Sequence, residues 1–235
     1  MNIKINKQFT YPTVLKESTT EKGRVYFVEH EGIKYDPLYS VTTIISKQSP
    51  EVKQSVQEWK NVIGHDKAEQ IINNSLNVGN RMHDILHYRL TEKPNYESLF
   101  KKNYLFKLAS KLADRIQETY LEANLDEIWG AEEPLFVPDL YAGRADLIGI
   151  YNGKPSIIDF KNGYKDKKEE YMDNYFKQSA AYALAHNYLF DTEIDQFVIL
   201  FANSTDQTVQ EKIFTGDDFK YWKDEWLSTL NSFFA

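Results

Sequence analysis

The spacing of apolar residues separates the chain into a first half with helical periodicity and a second half with strand character. Apolar side chains recur three or four residues apart from about residue 50 to 86 and again from about 96 to 123, which is the spacing of one helix face. From residue 127 onward, short runs rich in β-branched and aromatic residues are bounded by turn residues. The pattern predicts helices first and a sheet afterwards.

The order of these segments predicts one α/β (α+β) domain. We expect a small hairpin over 24–35 and helices that begin at Pro50, near Asp66 and near Tyr96, the last of them ending near Ala123. Further predicted elements are strands at about 127–137, 141–151, 155–160, 197–202 and 208–214, and helices at about 170–189 and 217–233. No linker rich in Gly, Ser or Pro interrupts the 235 residues. We therefore expect a single domain over 1–235, with a mainly helical part over 1–125 and a mixed sheet flanked by helices over 126–235.

Two aspartates and a lysine lie at the end of a predicted hairpin. Asp159 and Lys161 follow the apolar run at 156–158, and Asp146 lies on the strand before it. Residues two apart in a strand share a face, so Asp159 and Lys161 project together. The tight turn that Asn152-Gly153 favours brings Asp146 beside Asp159. Two carboxylates and a lysine can hold a hard divalent cation and a water beside a phosphate, which indicates a metal-dependent nuclease. The alternative is a set of surface ion pairs.

A histidine on the second predicted helix is a candidate metal ligand. His83 follows Gly79 by four residues, and a small residue at that spacing lets another backbone approach the helix. A neutral imidazole can ligate a metal, although a helix-surface histidine is the simpler interpretation. His87 lies one turn later on the same face and is a candidate for a supporting role.

Three more polar residues complete the candidate site. Glu133 lies on the strand before the hairpin, where its carboxylate could reach the metal or the attacking water, while strand alternation turns Glu132 to the opposite face. Gln178 and Tyr182 share one face of the following helix and can hydrogen-bond DNA phosphates or fix Lys161. The alternatives are an exposed strand charge and ordinary helix packing.

Composition narrows the class of protein. A net charge of −7 and a pI near 5.3 argue against a protein that coats nucleic acid, because such binding depends on neutralising phosphates. Local positive charge remains at Lys161, Lys165, Lys167 and Lys168. These lysines either form a patch that binds a nucleic-acid backbone or lie in a solvated loop. The absence of Cys excludes disulfides, thiolate zinc sites, cysteine nucleophiles and cysteine-ligated iron–sulfur clusters. A polar amino terminus and the lack of an apolar run of about 20 residues lead us to expect an intracellular protein without a signal peptide or membrane span.

The order of the motifs carries a family resemblance. Gly-x-x-x-His, Glu, Gly-x-x-Asp, Asp-x-Lys and Gln-x-x-x-Tyr follow one another over residues 79–182. This series resembles the PD-(D/E)XK nuclease superfamily, in particular its RecB-like branch and the group of the mitochondrial genome maintenance exonuclease and its phage relatives. The segment 39–45 followed by Trp59 is similar to the amino-terminal part of that group. The chain departs from the pattern at Ala145, where the superfamily has Pro, and at His87, where relatives commonly have Glu.

The resemblance implies a fold, a cofactor and a substrate. The fold would be a restriction-endonuclease-like core, and the cofactor Mg²⁺ or Mn²⁺. The implied metal ligands are His83, Asp146, Asp159 and the carbonyl of Phe160. The residues implied to act beside the metal are Lys161, Glu133, Gln178 and Tyr182.

The implied activity is that of a DNA exonuclease acting on single strands or accessible ends. Its expected setting is replication, recombination or repair, with replication or recombination proteins as partners. The alternatives are a structure-specific endonuclease on the same fold, a catalytically inactive module that binds DNA or a partner, and a structural protein whose acids are surface charges.

Overall fold

The structure, a computed structural model, describes residues 3–93, 98, 100 and 103–235. Within these residues the strands are β1 (Lys4–Ile5), β2 (Thr13–Thr20), β3 (Gly23–His30), β4 (Ile33–Lys34), β5 (Leu38–Tyr39), β6 (Leu125–Val137), β7 (Tyr141–Tyr151), β8 (Lys154–Gly163), β9 (Gln196–Asn203) and β10 (Thr208–Thr215). The α-helices are α1 (Val41–Lys47), α2 (Pro50–Ile63), α3 (His65–Leu90), α4 (Tyr104–Ile116), α5 (Glu122–Asn124), α6 (Asp173–Phe190) and α7 (Gly216–Phe234). A π-helical turn, Gln117–Leu121, joins α4 to α5.

A mixed six-stranded sheet forms the centre of the protein. Its strand order is β1-β6-β7-β8-β9-β10, with β1 parallel to β6, β8 parallel to β9 and the other neighbours antiparallel. A parallel pair needs a crossover connection, and α6 supplies it between β8 and β9. The prediction of a mixed sheet flanked by helices is confirmed.

Helices cover both faces of this sheet and bury a separate core on each. Strand β9 shows the division, because all eight of its residues are buried. Phe197, Ile199 and Phe201 belong to the core under α1, α6 and α7, whereas Val198 and Leu200 belong to the core under α3 and α4. Each fully buried side chain of this size contributes about 1.5–3 kcal/mol. The two cores therefore fix the sheet between two helical layers.

The hairpin that connects β7 to β8 forms as its sequence predicts. Asn152 and Gly153 both have positive φ, 51° and 74°, which is the backbone conformation of a type I′ turn. Tyr151 pairs with Lys154 across the turn, and the pairing continues to Leu147 and Ile158. The turn therefore sets the register that brings the two strands carrying the candidate acids together.

The amino-terminal part contains a second, four-stranded sheet as well as helices. The predicted hairpin over 24–35 corresponds to β3 and β4. Strand β2 pairs with the other side of β3 and was not predicted, because it is polar and mostly exposed and so lacks the alternation of a half-buried strand. The small sheet packs on the central sheet through buried residues, namely Tyr26, Val28, Leu38, Phe136 and Ala142.

The longest helix, α3, carries one candidate residue to the central sheet. It has 26 residues and is therefore about 39 Å long. Asp66 lies in its first turn, while Gly64 occupies the N-cap position that was predicted for Asp66. Helix α4 begins at Tyr104, where the Asn103 side chain accepts a hydrogen bond from the Phe106 amide at 3.0 Å. The predicted helix start near Tyr96 lies outside the described residues. No helix in the described ranges has both the length and the apolar composition needed to cross a bilayer.

Candidate active site

The site begins where β7 and β8 cease to pair. Beyond Leu147 and Ile158, the carboxylate of Asp146 takes the place of a strand partner: its Oδ2 accepts a hydrogen bond from the Phe160 amide at 2.7 Å. This bond satisfies a backbone donor in the interior and fixes the orientation of the carboxylate. Asp146 Oδ1 is left free to face α3.

His83 on α3 meets this carboxylate. Its Nδ1 lies 3.4 Å from Asp146 Oδ1 and 3.9 Å from Glu132 Oε1. One ligand atom from each of His83, Glu132 and Asp146 can be chosen so that all three lie within 4.8 Å of one another. Two ligands of one ion are about 3–4 Å apart when each bond is about 2.1 Å long. The three side chains therefore need little movement to share a cation.

Gly79 explains why α3 can approach the sheet at this point. A Cβ at residue 79 would lie 2.4 Å from Asn162 Oδ1 at the end of β8. The Asn162 amide in turn donates a hydrogen bond to the Ser75 carbonyl at 3.0 Å. The glycine one turn before His83 thus makes room for a side chain that anchors the helix, although the sequence had suggested the approach of a backbone.

Glu132, and not Glu133, is the acid beside His83 and Asp146. The register between β6 and β7 pairs Ala131 with Leu147 and Glu133 with Ala145, which places Glu132 across from Asp146. Opposite residues of an antiparallel pair project from the same face. Val137 pairs with Tyr141 at the β6–β7 turn, and Glu132 and Asp146 each lie five residues from that pair. Counting from the turn would therefore have predicted that the two acids face each other.

Glu133 lies on the other side of β6, away from the candidate site. A Cβ added at Gly130 would lie 2.5 Å from the Glu133 side chain and 2.9 Å from the Tyr11 ring. The Glu133 side chain therefore lies next to Gly130 and Tyr11. Burial raises the pKa of its carboxyl group, and the nearby Arg144 guanidinium opposes this rise only in part. The structure thus places Glu132, and not Glu133, with His83 and Asp146, and a role for Glu133 beside the metal stays a prediction.

Asp159 and Lys161 form a buried ion pair next to this group. Asp159 Oδ2 lies 2.6 Å from Lys161 Nζ, and only 1% of the Asp159 side chain is exposed. Its other oxygen accepts a hydrogen bond of 3.4 Å from Gln178 Nε2, which also donates to Tyr182 Oη at 3.2 Å. The burial of Asp159 argues against the alternative that it belongs to a surface ion pair. Asp159 lies outside the His83–Glu132–Asp146 group, and its two oxygens face Lys161 and Gln178. Its predicted role as a metal ligand stays a prediction.

The other predicted site residues also lie here. Phe160 is buried; its amide binds Asp146, and its ring lies edge-on to His83 with the centroids 6.0 Å apart. The role of its carbonyl as a ligand stays a prediction. Gln178 and Tyr182 project together from α6 as their spacing predicts. Gln178 contacts Asp159, and Tyr182 contacts Gln178. His87 has a pKa lowered by burial and by Lys93.

The close approach of these charges alters their protonation. Burial alone would lower the pKa of His83, but the carboxylates of Asp146 and Glu132 outweigh it and raise the pKa to about 10. Burial raises the pKa of Asp159 to about 6 despite the ion pair with Lys161. Burial would also lower the pKa of Lys161, and the two aspartates raise it instead. The site thus stabilises positive charge on His83 and Lys161, as expected where acids crowd together.

A cleft of about 500 Å³ opens onto His83, Glu132, Asp146, Gln178 and Tyr182. The small sheet contributes Arg24 and Tyr26 to its wall, α3 contributes Asn80, and β7 contributes Arg144. Arg24 is held in place by a 2.9 Å hydrogen bond to Thr42 Oγ1. The cleft therefore joins an acidic centre to two guanidinium groups that the sequence motifs did not single out.

Comparison with known proteins adds little to this geometry. No protein-family model matches the chain, and no curated protein matches it. Among solved structures, a crystal structure of SSO0001 is similar over 86% of this chain and 80% of its own, with 14% sequence identity and a TM-score of 0.35. A likeness this weak supports no conclusion about fold family or function.

Proposed function

We propose that this protein is a metal-dependent DNA nuclease with a restriction-endonuclease-like core of the PD-(D/E)XK type, acting as an exonuclease. One observation carries the proposal. The imidazole of His83 and the carboxylates of Glu132 and Asp146 lie within 4.8 Å of one another, while the Asp159–Lys161 pair lies on the neighbouring strand β8. The family resemblance drawn from the order of the sequence motifs supports the same proposal.

The three side chains fit a divalent cation. Carboxylate oxygens suit both Mg²⁺ and Mn²⁺, and the imidazole nitrogen shifts the preference towards Mn²⁺. Their mutual distances require only small adjustments, and Asp146 is already oriented by the Phe160 amide. His83, Glu132 and Asp146 would hold the ion, which when bound would polarise the scissile phosphate and lower the pKa of a water.

Lys161 would stabilise the reacting phosphate. Phosphoryl transfer adds negative charge to the phosphate oxygens, and a fixed ammonium group lowers the energy of that state. Asp159 holds Lys161 Nζ at 2.6 Å, so the cation is placed before the substrate arrives. Gln178 in turn fixes the other Asp159 oxygen, and Tyr182 fixes Gln178. These contacts assign Gln178 and Tyr182 a positioning role.

The guanidinium groups of Arg24 and Arg144 would bind the DNA backbone. The protein as a whole is negative, with a charge of −7, so attraction to DNA must come from local cations. Arg144 is exposed on β7 and lines the cleft together with His83 and Asp146. Arginine forms paired hydrogen bonds with phosphate oxygens. The cleft therefore offers cations for the backbone and acids for the metal.

Digestion of three labelled DNA substrates tests the function. Linear single strands, linear duplexes and circular single strands are incubated with Mg²⁺ or Mn²⁺, the linear ones labelled at either end. An exonuclease releases nucleotides from linear DNA and leaves the circle intact, whereas cleavage of the circle would show an endonuclease. Failure to cut any of the three with either metal would refute the proposal.

A further inference from the structure

The aromatic ring of Tyr175 lies close to the candidate catalytic lysine and to a second lysine. Lys161 Nζ is 5.3 Å from the centre of the ring, and Lys167 Nζ is 4.3 Å from it. Lys167 Nζ also donates a hydrogen bond to Tyr175 Oη at 3.0 Å. Two ammonium groups therefore converge on one side chain at the edge of the site.

The acids near Lys167 are engaged with other partners. Asp166 accepts a hydrogen bond from Asn203 at 2.8 Å, Glu169 pairs with Lys212 at 2.6 Å, and Glu170 pairs with Lys168 at 3.7 Å. Lys167 itself is half-buried, and within the described residues no carboxylate forms an ion pair with it. A partly desolvated cation that lacks an ion-pair partner among the described residues favours an anion from outside the chain.

The loop that carries Lys167 is fixed before any ligand binds. The Lys167 amide donates to Gln210 Oε1 of β10 at 3.0 Å, and Asn203 of β9 holds Asp166. Tyr175 lies in the first turn of α6, whose later turns pack on the sheet. Little ordering is then needed on binding, which favours affinity.

We propose that Lys167 and Tyr175 form a binding subsite for a phosphodiester of the DNA strand, next to the phosphate that is cut. The Tyr175 hydroxyl oxygen accepts a hydrogen bond from Lys167 Nζ, so the hydroxyl proton is free to be donated to a phosphate oxygen. The ammonium group supplies a second, charge-assisted hydrogen bond. This subsite rests on the proposed nuclease function, because its place beside Lys161 gives it the neighbouring phosphate of the same strand.

Binding without cleavage isolates this subsite from the chemistry. A short fluorescein-labelled single strand is titrated in EDTA with the wild type, Lys167→Gln and the control Lys165→Gln, followed by fluorescence anisotropy. Lys165 is an exposed lysine of the same loop, which for this residue fits the solvated alternative and not the backbone-binding patch. We expect Lys167→Gln to weaken binding about tenfold and to reduce the salt slope of log K by about 0.7. Lys165→Gln should change binding by less than about twofold, because an exposed charge is screened.

A neutral methylphosphonate placed at single linkages locates the contact. At one linkage it should weaken binding by the wild type about tenfold and leave Lys167→Gln unaffected, because the contact is already missing. Lys167→Arg should retain most of the affinity, which excludes a folding defect as the cause. If Lys167→Gln binds like Lys165→Gln while Glu132→Gln has lost cleavage, the subsite is refuted and the nuclease stands. If the wild type binds no strand and cuts none, both proposals are overturned.

Discussion

Asp146 Oδ2 accepts a hydrogen bond of 2.7 Å from the backbone amide of Phe160, at the point where β7 and β8 stop pairing. The same carboxylate therefore closes the end of a strand ladder and presents its second oxygen to His83. Asp146 therefore links the fold to the candidate site. Substitution can separate its hydrogen bond to the Phe160 amide from its carboxylate charge.

Asp146→Asn and Asp146→Ala should differ in stability but not in activity. Asn keeps an oxygen that can accept the Phe160 amide, whereas Ala leaves that buried donor unpaired at a cost of about 1–3 kcal/mol. Neither variant supplies a carboxylate to the metal, so both should lose cleavage. Urea unfolding and a cleavage assay measure the two effects. Equal stability of the two variants would show that the amide bond contributes little.

Glu132→Gln and Glu133→Gln form a matched pair of adjacent substitutions. Only Glu132 lies with His83 and Asp146, so we expect Glu132→Gln to weaken Mn²⁺ binding by at least about tenfold. Glu133→Gln should bind the metal as the wild type does, because its side chain lies on the other side of β6. Isothermal titration calorimetry with Mn²⁺ measures both. The reverse ranking would contradict the observed register of β6 and β7.

Metal binding should release a proton from His83. The pKa of about 10 means that the imidazole carries a proton at neutral pH, and a metal ligand must be unprotonated. As pH rises from about 7 towards 10, less work is needed to remove the His83 proton, so the apparent Mn²⁺ affinity should increase about tenfold per pH unit. Calorimetry in buffers of different ionisation enthalpy counts the released protons at about pH 8. Release of no proton, or the same release by His83→Gln, would exclude His83 as the source.

Gly79→Ala should destabilise the wild type and become harmless once Asn162 is shortened. The added methyl group would meet Asn162 Oδ1, and overpacking of this kind costs about 1–3 kcal/mol. In an Asn162→Ala background the clash disappears, and Ala is the better helix former by up to about 1 kcal/mol. A double-mutant cycle by urea unfolding measures the coupling. Stabilisation by Gly79→Ala in the wild type would show that α3 and Asn162 are not in contact.

Local features of the sequence predicted most of the second half of the chain. The Asn152-Gly153 turn and the apolar runs of β8 and β9 each depend on neighbouring residues, and each corresponds to an element of the structure. The proximity of Asp146, Asp159 and Lys161 followed from the same turn. These parts could be predicted because a tight turn and strand alternation leave few alternatives.

The remaining parts depend on contacts between distant segments. Whether Glu132 or Glu133 faces the site is decided by the register of β6 against β7, which strand alternation within β6 does not reveal. Strand β2 is polar and is defined only by its pairing with β3. The partners of Asp159 depend on how α6 packs on the sheet. In each case tertiary contacts decide among conformations that the local sequence allows equally.

Release of labelled nucleotides from single-stranded DNA tests the central claim most directly. The wild type is treated with EDTA, assayed, and assayed again after Mn²⁺ is added, with Lys161→Ala and Glu132→Gln in parallel. We expect no release in EDTA, release by the wild type once Mn²⁺ is present, and none by either variant although both remain folded by circular dichroism. Release that persists in EDTA, or near-wild-type release by Lys161→Ala, would contradict a metal-dependent nuclease built on these residues.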